Sequence, residues 1–237
     1  MQLGCTFQKN FLHLNQSKIE TMITDFSKSN SIINQFVAEL RNVEIQTDRL
    51  RFRRNLERIG ELMAYEISKT LDYELYEVET PLGMAQVDLP SEMPILATIL
   101  RAGLPMHQGF LNIFDSADNA FVSGYRKHHK DGTFEIKVDY VSSPNLDGRV
   151  LIIVDPMLAT GASIVATVKH LQEFGTPKEI HIAAAIAATD GVNYVRRLLP
   201  NAKIWAGAID EELTAKSYIV PGLGDAGDLA FGEKLND

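Results

Sequence analysis

The segment between residues 155 and 163 combines an acid, a glycine and two hydroxyl side chains directly after the apolar run Val150–Val154. If that run is a buried strand, Asp155 emerges at the edge of a sheet, and the next helix begins near Ser163. Gly161 permits close backbone approach, and the unpaired N–H groups at a helix start attract an anion. This pattern predicts a phosphate cradle, with Asp155 suited to ribose hydroxyls. A capped helix after a core strand is the purely structural alternative.

Arg101 stands in a second segment of this kind, Ile99-Leu-Arg-Ala-Gly103, which follows the apolar run Ile95–Leu100. A guanidinium group binds phosphate oxygens through two parallel N–H donors, and Gly103 lets the backbone approach. The segment favours a diphosphate ligand. Taken alone, it fits a surface salt bridge equally well.

Arg126 follows a third apolar run, in Gly124-Tyr125-Arg126, and leads into the polar residues 127–133. Such a stretch predicts a mobile flap that closes over a charged ligand and excludes water. His128 and His129 have no third ligand nearby in the sequence, so we expect them to be solvated and not to bind a metal.

The C-terminal segment 218–228 contains three glycines in the order G-x-G-x-x-G, starting at Gly222. Only ten residues follow Gly227, too few for the βαβ unit that a dinucleotide fold requires. A glycine-rich loop can instead present backbone N–H and C=O groups to a flat polar ligand. A plain structural loop is the alternative.

Together these segments resemble the motifs of the uracil phosphoribosyltransferase family, over about residues 30–237. In type I phosphoribosyltransferases, the motif that binds phosphoribosyl diphosphate (PRPP) usually has two adjacent acids. Here the second position is Pro156, and Asp-Pro-Met-Leu-Ala-Thr-Gly is the form typical of the uracil enzymes. Ala162 stands where many of them have glycine, and we expect little effect if this position is helical. The tail around Gly222 is the most specific match.

The resemblance implies roles for individual residues and a cofactor. The residues that it implies for PRPP binding are Arg101, Arg126, Asp155, Pro156, Met157, Leu158, Ala159, Thr160, Gly161, Ala162, Ser163 and Asp225. Those implied for uracil binding are Ile219, Gly224, Asp225 and Ala226, and those for catalysis are Arg101, Arg126, Asp155 and Asp225. Mg²⁺ is expected to be carried mainly by PRPP, with no direct protein ligand. Family members form dimers or higher assemblies and some respond to GTP, which makes GTP a candidate effector.

The chain has 31 acidic and 23 basic residues, a formal net charge of −8. Broad nucleic-acid binding needs many Lys and Arg side chains, so nucleic acid is not an expected partner. Cys5 is the single cysteine, which suits a reducing cytoplasm, and no apolar run approaches a membrane span. Two rivals remain: a non-catalytic pyrimidine-responsive regulator of the same fold, and an enzyme for another base.

The elements that position these segments follow from apolar patterning. Strands are predicted at 95–100, 120–124, 150–154, 180–186 and 203–208, with helices at 104–114, 163–174 and 191–199. Such alternation predicts an α/β fold, a mainly parallel sheet flanked by helices, which binds ligands beyond the carboxyl ends of its strands. The resemblance specifies the type I phosphoribosyltransferase fold with an N-terminal helical extension and a C-terminal base-binding hood. We expect a disordered leader over 1–21 and a single domain over 22–237, with Met22 a candidate start.

An N-terminal helix is predicted from Phe52 to about residue 70. Its apolar residues Phe52, Leu56, Ile59 and Met63 recur at spacings of three and four. The arginines beside this stripe indicate a solvated face or a subunit contact.

Overall fold

The computed structural model describes residues 22–128 and 134–234, with side chains outside 125–137. The segment 1–21, where we predict a disordered leader, lies outside the described residues. The strands are β1 (Ile23–Asp25), β2 (Tyr73–Thr80), β3 (Gly83–Pro90), β4 (Ile95–Leu100), β5 (Asp118–His128), β6 (Phe134–Ser142), β7 (Val150–Val154), β8 (Met157–Leu158), β9 (Glu179–Ala188), β10 (Lys203–Asp210), β11 (Glu212–Leu213) and β12 (Ile219–Val220). The helices are α1 (Ile32–Arg41), α2 (Arg49–Ser68), α3 (Leu104–Ile113), α4 (Ala162–Leu171), α5 (Thr189–Leu198) and α6 (Ala226–Phe231).

The central sheet has the strand order β1-β10-β9-β7-β4-β5-β6, and β8 pairs with the end of β9. Every pairing in it is parallel except that of β5 with β6. All five residues of β7 are buried. Strands covered on both faces read as continuous apolar runs, which is why the sequence predicted them well. The predicted α/β class and its mainly parallel sheet are confirmed.

Alternate residues of β7 serve two separate cores. Ile152 and Val154 join the core formed with α1, α2, α3 and α6, whereas Leu151 and Ile153 join the core formed with α4 and α5. This alternation is the two-residue period of a strand. The helices therefore cover both faces of the sheet and leave its carboxyl edge to the loops. In the described part of the chain, no helix is both long and apolar enough to span a membrane.

The N-terminal helix α2 buries its apolar stripe within the chain itself. Phe52, Leu56, Ile59, Met63 and Ile67 are at most 1% exposed. The predicted subunit contact would therefore use the exposed face of α2, which includes Leu50 and Tyr65 beside its charged residues.

Helices α1 and α2 are joined by a carboxylate that accepts from three side chains. Arg51 donates to both oxygens of Glu39 at 2.9 Å, and Gln35 and Asn55 donate at 2.9 and 2.8 Å. These hydrogen bonds, that of Arg51 above all, hold the pKa of Glu39 at about 2. Glu39 therefore stays ionised at neutral pH.

The sequence did not predict the antiparallel hairpin β2–β3. Its register runs from Tyr73 opposite Pro90 to Thr80 opposite Gly83, and nearly all of its residues are exposed. The strand that was expected to end at Gly124 continues to His128, where it pairs with β6, which begins at Phe134. The predicted flap over residues 127–133 stays a prediction, because only Lys127 and His128 of it are described. Residues 129–133, including His129, lie outside the described residues.

Helices α2 and α3 cross at two glycines. A Cβ atom on Gly109 would lie 2.0 Å from the carbonyl oxygen of Glu57, and one on Gly60 would lie 2.3 Å from that of Met106. Both contacts are with backbone atoms, which no side-chain rotation can relieve. The absence of a side chain at these positions sets the distance between the two helices.

Gly109→Ala should therefore lower the free energy of unfolding by about 3 kcal/mol, because α3 must move away from α2. Helix propensity alone predicts the opposite, a gain of about 1 kcal/mol. Chemical denaturation measures the sign. The exposed neighbour Gln108→Ala is the control and should change stability by less than about 0.5 kcal/mol. A Gly109→Ala chain as stable as wild type would show that the crossing tolerates a methyl group.

Candidate functional site

The segment 155–163 begins where β7 ends. The backbone N–H of Asp155 donates to the carbonyl of Ala183 on β9 at 3.1 Å, and the carbonyl of Pro156 accepts from Ile186 at 3.0 Å. Residues 157 and 158 then form β8 beside β9, so the first half of the predicted loop is an added strand. Leu158 is completely buried. Its predicted contact with PRPP could therefore involve only the backbone.

The second half of the segment turns into α4 through Gly161. This residue has a left-handed φ of +78° and is the N-cap of α4, where no side chain caps the helix. The hydroxyl of Thr160 accepts from the N–H of Ala162 at 3.3 Å. The N–H groups of the first turn therefore stand at the positive end of the helix dipole, as the predicted cradle requires. Ala162 is helical, which supports the expected tolerance of alanine there.

Gly191, near the start of α5, packs directly against this turn, a contact that was not predicted from the sequence. A Cβ atom on Gly191 would lie 2.2 Å from the carbonyl oxygen of Ala159, and one on Gly161 would lie 2.9 Å from the carbonyl oxygen of Gly191. The turn and α5 thus touch backbone to backbone. The only signal in the sequence was a glycine at the start of a predicted helix, residues 191–199.

The Arg101 turn lies directly against the end of β7. A Cβ atom on Gly103 would lie 2.8 Å from the carbonyl oxygen of Val154 and 2.1 Å from the hydroxyl of Thr98, which itself donates to that carbonyl at 3.2 Å. The peptide bond between Leu100 and Arg101 is cis. The residue after Val154 is Asp155, so the first and second predicted segments are neighbours at the carboxyl edge.

The side chain of Arg101 contacts the C-terminal segment. Its Nη2 atom donates to the carboxylate of Asp228 at 2.9 Å and to the carbonyl of Gly232 at 2.6 Å, and its guanidinium lies 5.9 Å from the ring centre of Phe231. The side chain of Arg101 is 37% exposed. The structure therefore brings the second and fourth predicted segments together as well.

The C-terminal segment forms the short hairpin β11–β12 and then α6. Asp225 caps α6 by accepting from the N–H of Asp228 at 3.0 Å, and its carboxylate lies 4.0 Å from the ammonium group of Lys234. Gly224 has a φ of +97° and is exposed, whereas Ile219 and Ala226 are buried. Of the predicted uracil residues, Gly224 and Asp225 are thus accessible, and the other two could contribute mainly backbone groups.

An ion pair that the sequence did not reveal holds this segment. Arg41 at the end of α1 makes a bidentate contact with Asp210 at the end of β10, with distances of 2.7 and 2.8 Å. Both residues also bond to the backbone of Gly222. An acid after an apolar strand was a visible signal for Asp210, but nothing singled out Arg41.

Of the predicted site residues, Arg126 is the one whose position is described least completely. Its backbone lies in β5 opposite Ile136 of β6, and its side chain is not among those described. Among the described residues, no three His, Cys, Asp or Glu side chains gather as they would around a metal ion.

An α/β sheet with anion-suited turns grouped at its carboxyl edge is the arrangement expected of a type I phosphoribosyltransferase. A family model described as uracil phosphoribosyltransferase matches residues 27–233. The chain belongs to the uracil phosphoribosyltransferase family, and is therefore a phosphoribosyl-transferring enzyme.

Curated relatives and a solved structure agree with this membership. A uracil phosphoribosyltransferase of Porphyromonas gingivalis is 56% identical over 206 residues, covering 86% of this chain and 95% of that protein. One from Thermococcus gammatolerans is 37% identical, covering 86% and 90%. The solved structure of the AQ2163 protein from Aquifex aeolicus has a TM-score of 0.79 at 30% identity, covering 91% of this chain and all of that one. The predicted family is confirmed.

Proposed function

We propose that this chain converts uracil and PRPP to UMP and diphosphate, a step of pyrimidine salvage. The observation that carries the proposal is the grouping of the Arg101 turn, the 155–163 segment and the C-terminal segment. Gly103 abuts the end of β7, and a Cβ atom on Gly227 would lie 3.7 Å from the Cβ of Ala102. A phosphate cradle, a diphosphate arginine and a base-reading loop thus adjoin, as one substrate pair requires.

The 155–163 segment would hold the phosphoribosyl group. The uncapped first turn of α4 offers N–H donors to the 5′-phosphate, and the hydroxyls of Thr160 and Ser163 add to them. The Asp155 carboxylate would accept from the ribose hydroxyls. Each charge-assisted hydrogen bond contributes about 1.5–3 kcal/mol, so a few of them bind a phosphate without lysine.

Arg101 and Arg126 would balance the charge of the diphosphate. In the reaction, the bond from ribose C1 to the diphosphate oxygen breaks as uracil N1 bonds to C1 from the opposite face, and the N1 proton is released. Positive charge develops on the ribose ring, and negative charge on the departing diphosphate. The protein contributes mainly by positioning the reactants and by stabilising the departing charge.

The donor set suits Mg²⁺ that is carried by PRPP. The described carboxylates do not gather in threes, and Mg²⁺ commonly keeps several waters and binds substrate phosphates with few protein carboxylates. When bound, the ion supplies Lewis-acid stabilisation of the diphosphate. Asp155 is the carboxylate nearest in sequence to the cradle, and it would hold the ribose hydroxyls beside the ion.

Uracil would be read by the backbone around Gly224 and Asp225. Its alternating carbonyl and N–H groups match backbone amides, and the φ of +97° at Gly224 gives the chain a turn that side chains rarely permit. Ile219 and Ala226 would complete the pocket through backbone groups. With one cysteine in the chain, we place this reaction in the reducing cytoplasm.

The deciding experiment incubates the protein with PRPP, Mg²⁺ and each nucleobase in turn, and detects nucleotides. We expect UMP from uracil and little product from cytosine or the purines, with loss of activity when EDTA removes Mg²⁺. A purine nucleotide as the main product would overturn the uracil proposal. Binding of pyrimidine-operon RNA without UMP formation would instead favour the regulator. GTP added to the same assay tests the effector.

Arg101→Ala should raise the KM for PRPP at least tenfold, because at least one charge-assisted contact to the diphosphate is lost. Steady-state kinetics with PRPP varied measure this. Arg54→Ala is the matched control, since Arg54 is an exposed arginine paired with Glu57 on α2. Equal kinetics in the two variants would remove Arg101 from the site.

We also propose that the chain forms a homodimer through the β2–β3 hairpin. On one face of this hairpin, Tyr76 lies opposite Val87 and Val78 lies opposite Ala85, so apolar side chains line that face. Tyr76, Val78 and Val87 are 39–42% exposed. A hairpin with an apolar face that the described residues leave exposed supports contact with a second subunit.

Val78→Asp combined with Val87→Asp should convert the assembly to monomers, because two buried carboxylates would oppose the interface. Light scattering after size-exclusion chromatography measures the mass. Gln86→Asp, on the opposite face of the hairpin, should leave the mass of the assembly unchanged. An unchanged assembly in the double variant would show that the subunits meet elsewhere.

A further inference from the structure

The ion pair between Arg41 and Asp210 closes around one residue of the C-terminal loop. The N–H of Gly222 donates to Oδ2 of Asp210 at 2.9 Å, and Nη1 of Arg41 donates to the carbonyl of Gly222 at 3.1 Å. Both backbone groups of Gly222 are therefore occupied by the pair. Asp210 is 8% exposed, so these bonds lie largely away from water.

Gly222 has no freedom to turn away from this contact. Its φ is +56°, and a Cβ atom there would lie 2.1 Å from the carbonyl oxygen of Ile219. Gly224, the first of the accessible residues proposed to read uracil, lies two residues further along. The orientation of that reading segment is thus set immediately upstream of it.

Further contacts extend from the same cluster. With its amide nitrogen facing the carbonyls, Gln46 donates to Leu223 at 2.8 Å and to Leu40 at 3.1 Å, so the chain after α1 holds the loop a second time. On the other side, the hydroxyl of Thr189 donates to the carbonyl of Asp210 at 3.2 Å. Thr189 begins α5, the helix whose Gly191 seats the 155–163 turn.

We infer that Arg41 and Asp210 are positioning residues for base recognition, fixing the loop around Gly222 so that the backbone at Gly224 and Asp225 meets uracil correctly. This inference rests on the proposed function. Neither side chain needs to touch the substrate. A loop that binds a base through backbone groups cannot adjust its contacts by changing side-chain rotamers. Contacts from other elements must therefore fix its orientation.

An arginine–carboxylate pair suits this task for a geometric reason. The planar guanidinium donates two parallel hydrogen bonds that fix the orientation of the carboxylate. Each partner also bonds to Gly222, Arg41 to its carbonyl and Asp210 to its N–H. Lysine at position 41 would preserve the positive charge but could not donate two parallel hydrogen bonds to the carboxylate. Asparagine would preserve the shape of the carboxylate and lose its charge.

Arg41→Lys and Asp210→Asn should therefore raise the KM for uracil tenfold or more. The KM for PRPP should change much less than the KM for uracil, because the side chains of the pair bond to each other and to Gly222. Discrimination against cytosine, measured as the ratio of the two kcat/KM values, should fall. Amide hydrogen exchange over residues 220–225 should become faster in both variants.

The chain provides a matched control in Glu39 and Arg51. This is also a bidentate arginine–carboxylate pair with its acid buried on α1, and it does not contact the loop. Arg51→Lys and Glu39→Gln should lower the melting temperature without changing the KM for uracil or exchange at 220–225. Arg41→Lys keeps a cation beside Asp210, so it remains available if Asp210→Asn does not fold.

Two outcomes would overturn the inference. If the Arg41 and Asp210 variants lose stability as the control variants do, with an unchanged KM for uracil and unchanged exchange, the pair is only structural. If the KM values for both substrates rise together, the pair does not act on base recognition in particular. A wild-type protein that forms no UMP would overturn the proposed function and the uracil role with it, whereas hydrogen exchange would still decide whether the pair holds the loop.

Discussion

The contact between Gly103 and the last carbonyl of β7 governs how the turns at the carboxyl edge of the sheet are arranged. A Cβ atom there would come within 2.8 Å of Val154 and 2.1 Å of Thr98, so a side chain would separate two strands that are hydrogen-bonded neighbours. Because the strands stay together, the turns that follow them stay together. The Arg101 turn then lies close enough to α6 for its arginine to reach Asp228. The close approach of the loops after β4 and β7 thus depends on glycine at position 103, where any larger side chain would clash.

The formal net charge of −8 does not show which roles the charged side chains have in the fold. Several arginines serve the fold: Arg41 pairs with Asp210, Arg51 with Glu39, and Arg53 donates to the carbonyl of Ala230 at 2.7 Å. Arg101 itself is bonded to Asp228. The proposed binding of the 5′-phosphate relies instead on backbone N–H groups and the end of a helix. Such donors are fixed in place by the fold and need no net positive charge.

The sequence was informative where burial imposes a pattern. β4 and β7 were predicted with their observed bounds because strands covered on both faces are continuous apolar runs. The hairpin β2–β3 was missed because nearly all of its residues are exposed, so it contains no continuous apolar run. The alternation of Ala85, Val87 and Leu89 with polar residues was the signal available. β8 was interpreted as loop because two residues show no period. The Arg101 turn and the 155–163 segment begin at the ends of β4 and β7, as predicted, whereas Arg126 lies within β5.

Partners that are distant in the chain could not be predicted from one sequence. Arg41 and Asp210 are separated by 169 residues, and an arginine at a helix end has many other uses. The contact of Gly191 with the 155–163 turn has the same origin, since a helical glycine reveals nothing about which backbone approaches it. Pairing of this kind depends on the packing of α1 and α5 against the sheet. It becomes visible only when the elements are assembled.

The order of the chain also has a consequence for synthesis. Arg41 and Asp210 are both present once β10 has been made, but Gly222, the residue that both of them bond, comes after β11 and β12. A chain that stopped after β10 would therefore contain the Arg41–Asp210 pair without the loop that the pair holds, and Arg101 would lack both Asp228 and Gly232.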